Sequence, residues 1–177
     1  MSAQATWLPG RRLHLHHGPI DLILQGWGDE RALQSGYAAA VARFDTILAE
    51  LVAELPALRS ESAAVTGPTA RLMAEAVAPF RPIFITPMAA VAGAVGQTIL
   101  TAFTRPGITR AYANNGGDIA LHLDPGESLS CAVAGTSARV TIHAEDPVRG
   151  IATSGWRGRS WSMGIADSVT ILAQTAA

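Results

Sequence analysis

No lysine occurs among the 177 residues, and all 13 basic side chains are arginine. The chain therefore has no amine for a Schiff base and none for the phosphate-cradling lysine of a P-loop. A single cysteine, Cys131, permits no internal disulfide and fits a reducing compartment, so a cytoplasmic protein is expected. Charged residues are scarce at 15%, and the formal net charge is −1. That balance gives no basic footprint for nucleic acid. No apolar run reaches the roughly 18 residues of a membrane span, and Arg11, Arg12 and His14 interrupt the start, so neither a transmembrane segment nor a secretory signal is read. Alanine and glycine are plentiful instead, with hydrophobic residues at 49%. Such a composition excludes intrinsic disorder, and the length suits one domain.

Period-two patterning opens the chain. Leu13 and Leu15 alternate with His14 and His16, then Ile20, Leu22 and Leu24 follow with Asp21 and Ile23 between them, which predicts a hairpin around His17-Gly18-Pro19. From Asp29, a suitable N-cap, the period changes. Leu33, Tyr37, Val41, Phe44, Leu48, Leu51 and Leu55 form one stripe of an amphipathic helix that Pro56 ends. A shorter helix starts near Pro68 and carries Leu72, Met73, Val77 and Phe80 up to Pro82. Residues 83–104 read as a short apolar strand that becomes a helix after Pro87. This last helix is poor in side-chain bulk. Glycine costs about 1 kcal/mol against alanine in a helix, so Gly93 and Gly96 imply close approach, either of a neighbouring element or of a ligand.

The second half reads as β, in runs at 109–123, 128–134, 137–145, 149–154 and 167–173 separated by Asp124-Pro125-Gly126, Gly135, Asp146-Pro147 and Gly155. Helices early and strands late predict an α+β fold with an antiparallel sheet covered by helices.

Two clusters have the composition of a binding site. In Asn114-Asn115-Gly116-Gly117-Asp118, adjacent glycines expose backbone N–H groups and allow positive φ, and the short polar side chains can bond locally or to a ligand. The same segment also reads as a hairpin turn, because Asn115-Gly116 is a strong turn dipeptide. In residues 149–160, Thr153 and Ser154 offer hydroxyls, Gly155 permits close approach, and Arg149, Arg157 and Arg159 supply planar forks for phosphate. A polar loop with solvated arginines has the same composition. His14, His16 and His17 suggest a metal less readily than an exposed strand face, because no second ligand cluster accompanies them. His122 and His143 read as half-buried strand residues, and Cys131 as core. Ser154 lies outside any Gly-x-Ser-x-Gly elbow.

The order of three segments carries a resemblance. TPMAAVAGAV at 86–95, YANNGGDIAL at 112–121 and GIATSGWRGRSWSMGIADSVTILA at 150–173 resemble a family of uncharacterised proteins related to ApbE, the FAD:protein FMN transferases. The resemblance covers roughly residues 65–173. It implies an ApbE-like, T-fold-like α+β domain spanning 1–177. It further implies a flavin-nucleotide cleft lined by Asn115, Gly116, Gly117, Asp118, Thr153, Ser154, Gly155 and Arg157. FAD or FMN would be the ligand, a serine or threonine of a protein the acceptor, and magnesium the metal. Ala92 stands where the transferases carry a lysine, and no histidine follows the Thr-Ser-Gly segment. The transferases' aspartate–threonine metal pair lies on a helix beyond the Ser-Val-Thr strand, so the resemblance places the magnesium ligands outside this sequence. Asp167 and Thr170, three residues apart, do not reproduce that pair. The same residues also suit a homo-oligomeric protein that binds a nucleotide or flavin without catalysis, or a purely structural one.

Overall fold

In the computed structural model, which describes residues 2–61, 64–133, 136–156, 158 and 164–177, the early alternation becomes strands β2 (Arg12–His17) and β3 (Ile20–Gly28). Leu13, Leu15, Ile20, Leu22 and Leu24 are buried on one face. His14 projects from the other, where Nε2 lies 2.9 Å from the Asp21 carboxylate. Gly18, at φ +57°, makes the turn between them, a conformation that a Cβ disfavours.

A further strand precedes these. β1 (Gln4–Leu8) runs antiparallel to β2, with Trp7 opposite Leu13. Periodicity does not reveal it, because none of its residues is fully buried. Its one sequence signal is the Pro9-Gly10 turn, where Gly10 and Arg11 both take positive φ.

Helix α1 (Glu30–Ala53) begins where Asp29 Oδ1 accepts the N–H groups of Arg31 and Ala32. It buries Leu33, Gly36, Tyr37, Ala40, Phe44, Ile47 and Leu51, so Val41, Leu48 and Leu55 of the expected stripe flank the buried line. Pro56 does not stop α1 directly; it sits in the first turn of the short α2 (Leu55–Leu58). Helix α3 (Pro68–Val77) gives way to a 3₁₀ turn at Ala78–Phe80, and Phe80 is exposed instead of continuing the stripe. Pro79 breaks the helix there.

The strand expected from residue 83 does not form. Ile83 and Phe84 are exposed, and Pro82 and Pro87, lacking N–H groups, bound a segment with no ladder partner. A 3₁₀ turn at Pro87–Ala90 leads into α4 (Val91–Phe103).

The run 109–123 is a hairpin of β4 (Ile108–Asn115) and β5 (Asp118–Leu123). Then follow β6 (Ser128–Ala132), β7 (Arg139–His143), β8 (Gly150–Ser154) and β9 (Val169–Ala173). The main sheet has seven strands, each pair antiparallel, in the order β1-β2-β3-β4-β5-β8-β9, with β6 and β7 as a separate hairpin. The larger core lies between α1, α3, α4 and one sheet face, centred on Phe44, Ile47, Ile99 and Phe103. A smaller one, Leu121, Leu123, Ile142 and Ile151, joins the other face to the β6–β7 hairpin. Cys131 packs partly buried against it, and burial pushes its thiol pKa up, the opposite of what a nucleophile needs. The expected α+β class with a large antiparallel sheet is thus the observed one.

Candidate functional site

Asn115 and Asp118 face each other across the tip of the β4–β5 hairpin, and the corner residues are Gly116 and Gly117, at φ +67° and +112°. The glycine pair is therefore what the turn requires, one residue later than Asn115-Gly116. Asn114 closes it from the outer face, its Oδ1 accepting the Gly117 N–H at 2.9 Å.

Asn115 turns inward and is buried; its Nδ2 donates to the Ala92 carbonyl of α4 at 3.0 Å. That bond fixes the hairpin tip against the amino-terminal half of the helix. Gly96, one turn further on, has its missing Cβ position 3.3 Å from the Ala113 carbonyl and 3.9 Å from that of Asp118. At Gly93 a Cβ would overlap the Ala176 carbonyl, and at Gly150 it would overlap that of Thr175. Both helix glycines thus accommodate neighbouring elements of the chain itself, and the segment 175–176 lies in a channel walled by Gly93 and Gly150.

The two motifs meet at Asp118. Its Oδ1 accepts the Thr153 N–H at 3.3 Å, and the Thr153 hydroxyl lies 3.0 Å from that of Thr170 on β9. Burial raises the Asp118 pKa above the ordinary carboxyl value, and the Thr153 N–H offsets part of that rise. Asp118 Oδ2 has no protein hydrogen bond among the described residues.

Other members of the second cluster lie elsewhere. Ser154 is exposed at the end of β8. Gly155 accommodates the Asp167 carbonyl, which a Cβ there would overlap, and Trp156 Nε1 donates to Asp167 Oδ1 at 2.9 Å. Arg149 is not part of an anion cradle beside Thr153. Its guanidinium donates to the carbonyls of Ala144, Asp146 and Val148 and so holds the β7–β8 connection. Arg157, Arg159 and Ser160 fall outside the described residues.

On the α4 side of the sheet, Asp118, Ala120 and His122 alternate along β5. Beside them a cleft of about 420 Å³ is walled by Gln97, Thr101, His122, Arg149, Gln174 and Thr175. Gln97 Oε1 is buried without a hydrogen-bond partner, an unsatisfied acceptor of the kind folded proteins seldom leave. Sequence reading missed Gln97 and Thr101; their one signal is spacing on a helix already poor in bulk.

The site suits a magnesium ion poorly. Asp118 is its one carboxylate and is already desolvated and bonded at Oδ1, whereas a hard dication needs ionised oxygen ligands. Among the described residues no three of His, Cys, Asp and Glu gather as a metal site, the amino-terminal histidines included. Nor, among those residues, is any helix long and apolar enough to cross a membrane.

Fold and site together define an α+β protein in which a small-residue helix presses on a glycine-turned hairpin and a Thr-Ser-Gly strand. The chain belongs to the family described as AbpE bacteria, an ApbE-like family whose model matches residues 5–177. It is also similar to two proteins named UPF0280 protein. The one from Methanothrix thermoacetophila is 36% identical over 96 residues, covering 51% of this chain and 40% of the relative. The one from Methanococcoides burtonii is 35% identical over 91 residues, covering 49% and 38%. The aligned region thus spans well under half the length of these curated relatives.

Proposed function

We propose that this protein has the ApbE-like fold and binds a flavin nucleotide, FAD or FMN, over the α4-facing side of β5 and β8. The observation that carries the reading is the convergence of the Gly-Gly-Asp hairpin tip and the Thr153 backbone on one half-buried carboxyl group. Asp118 Oδ2 is left to accept from a ribityl or ribose hydroxyl, a role that burial and a fixed N–H partner strengthen. The neighbouring cleft supplies amides, hydroxyls, His122 and the Arg149 side chain, and the buried Gln97 acceptor would be satisfied by a ligand N–H or O–H donor. Bound there, FAD would bring the pyrophosphate whose cleavage separates FMN from AMP. What the chain itself does is orient the ligand and exclude water from the Asp118 side.

The test is isothermal titration with FAD, FMN and ADP, with and without magnesium, and chromatography of the same samples for AMP. FAD binding that weakens tenfold or more in both Asp118→Ala and Gln97→Ala, each with a cooperative melting curve that shows it folded, is the expected result. Equal affinity in wild type and both variants, or no binding at all, refutes the reading. A second reading, binding without transfer, is favoured by the single carboxylate and by Ala92. Bound FAD that releases no AMP with magnesium and a serine- or threonine-bearing acceptor protein present selects it, whereas AMP release matched by FMN covalently bound to that acceptor selects an FMN transferase; AMP with free FMN is hydrolysis by water and refutes transfer.

A further inference from the structure

We propose that β1 is the seam of a two-fold homodimer, in which the edge strands of two copies pair antiparallel and continue the sheet from one protomer to the other. β1 is an outer strand of the seven-stranded sheet, so one side of its backbone has no ladder partner there. Edge strands are ordinarily protected by a charge, a proline or a bulge. Gln4-Ala5-Thr6-Trp7-Leu8 has neither charge nor proline, and its five-residue register with β2 is unbroken.

Behind this edge lies an apolar groove of about 860 Å³ between β1 and α1, floored by Leu13, Leu33 and Tyr37 and walled by Trp7, Ala38 and Val41. Trp7 stands at its mouth, 57% exposed, touching Tyr37 edge-on at a ring separation of 4.7 Å. The groove's charged residues, Arg11 and Glu30, pair with each other at 2.6 Å. It therefore carries no net charge, and a second copy meets no like-charge penalty.

Area points the same way. The chain exposes 9996 Å², whereas a compact monomer of its mass exposes roughly 8,200 Å². The surplus of about 1,800 Å² is more than twice the roughly 800 Å² that a standard interface removes from each partner, so the protomer has area to spare for one. With Thr6 opposite its own copy, Ala5 faces the partner's Trp7 on the groove side, a small residue against a large one. The two-fold axis is what makes one uncharged strand sufficient for both halves of the interface.

Sedimentation velocity over a concentration series, with charge-swap variants, decides the matter. Wild type is expected to be a dimer at tens of micromolar. Thr6 is exposed on the face away from the groove, so Thr6→Lys and Thr6→Glu leave the protomer's core untouched. Each alone is expected to weaken association at least tenfold, because like charges then face each other across the axis. Mixing the two variants is expected to restore the dimer. A monomeric wild type, or a dimer indifferent to both Thr6 charges, overturns the proposal. So does a dimer broken instead by Ile171→Lys on β9, which would place the seam at the opposite edge.

Discussion

Replacing Gly93 by alanine sets two known effects against each other. In a free helix the change is favourable by about 1 kcal/mol. Here the new Cβ would overlap the Ala176 carbonyl, while Ala176 itself is buried and part of the main core. A backbone atom cannot swing aside as a flexible side chain does. Overpacking of this kind costs about 1–3 kcal/mol, so the net effect should be a loss of up to about 2 kcal/mol. Gly96→Ala, three residues along the same helix, meets the Ala113 carbonyl at 3.3 Å and needs a shift of only a few tenths of an ångström. Its net effect should lie near zero. Urea unfolding of both variants, repeated after deletion of residues 175–177, completes a double-mutant cycle. Deletion should convert Gly93→Ala into a stabilising change and leave Gly96→Ala as it was. If Gly93→Ala stabilises the intact chain as much as the shortened one, the segment 175–176 does not pack against α4 and the channel described above is wrong.

Asp118→Asn should stabilise the protein at neutral pH. Because the folded pKa is raised, the folded state binds its proton more tightly, and wild-type stability falls as pH rises from the ordinary carboxyl range through the raised value. Asparagine removes that loss while retaining an acceptor for the Thr153 N–H. Thermal melts should show the largest gain for the variant near pH 7 and almost none near pH 3; a gain that is flat with pH refutes the assignment. Tyr37→Phe should cost about 1–3 kcal/mol, read by urea unfolding, since it strands two partly buried groups. Those groups are the Gly26 N–H that the phenol oxygen accepts and the Arg11 carbonyl to which it donates. Phe103→Ala should cost about 3–5 kcal/mol, because Gly26 and Gly36 make room for its ring at the centre of the larger core.

Local chemistry made much of this fold legible. The alternation at 13–24, the Asp29 cap, the long apolar stripe and the glycine pair at 116–117 each act within a few residues, and each appears where its pattern lies. The strand misread at 83–86 and the strand overlooked at 4–8 share one cause. β-structure needs a partner elsewhere in the chain: the first segment has none, while β1 finds β2 although it buries no face of its own.

The candidate site divides along the same line. Asp118, Thr153 and the two glycines are candidates in the sequence, where the same residues read equally as a hairpin turn and a polar loop, and the glycines do make the turn. Which of them meet depended on β5 and β8 becoming neighbours although 26 residues separate Leu123 from Gly150. Strand order also turned Arg149 into a clamp on three carbonyls and gave Gly155 to the Asp167 backbone. Sequence alone determined the residue types, the local periods and the small-residue face of α4. Only the tertiary structure decided what that face is small for, because the atoms that would overlap a Cβ on Gly93 belong to residues more than eighty positions away.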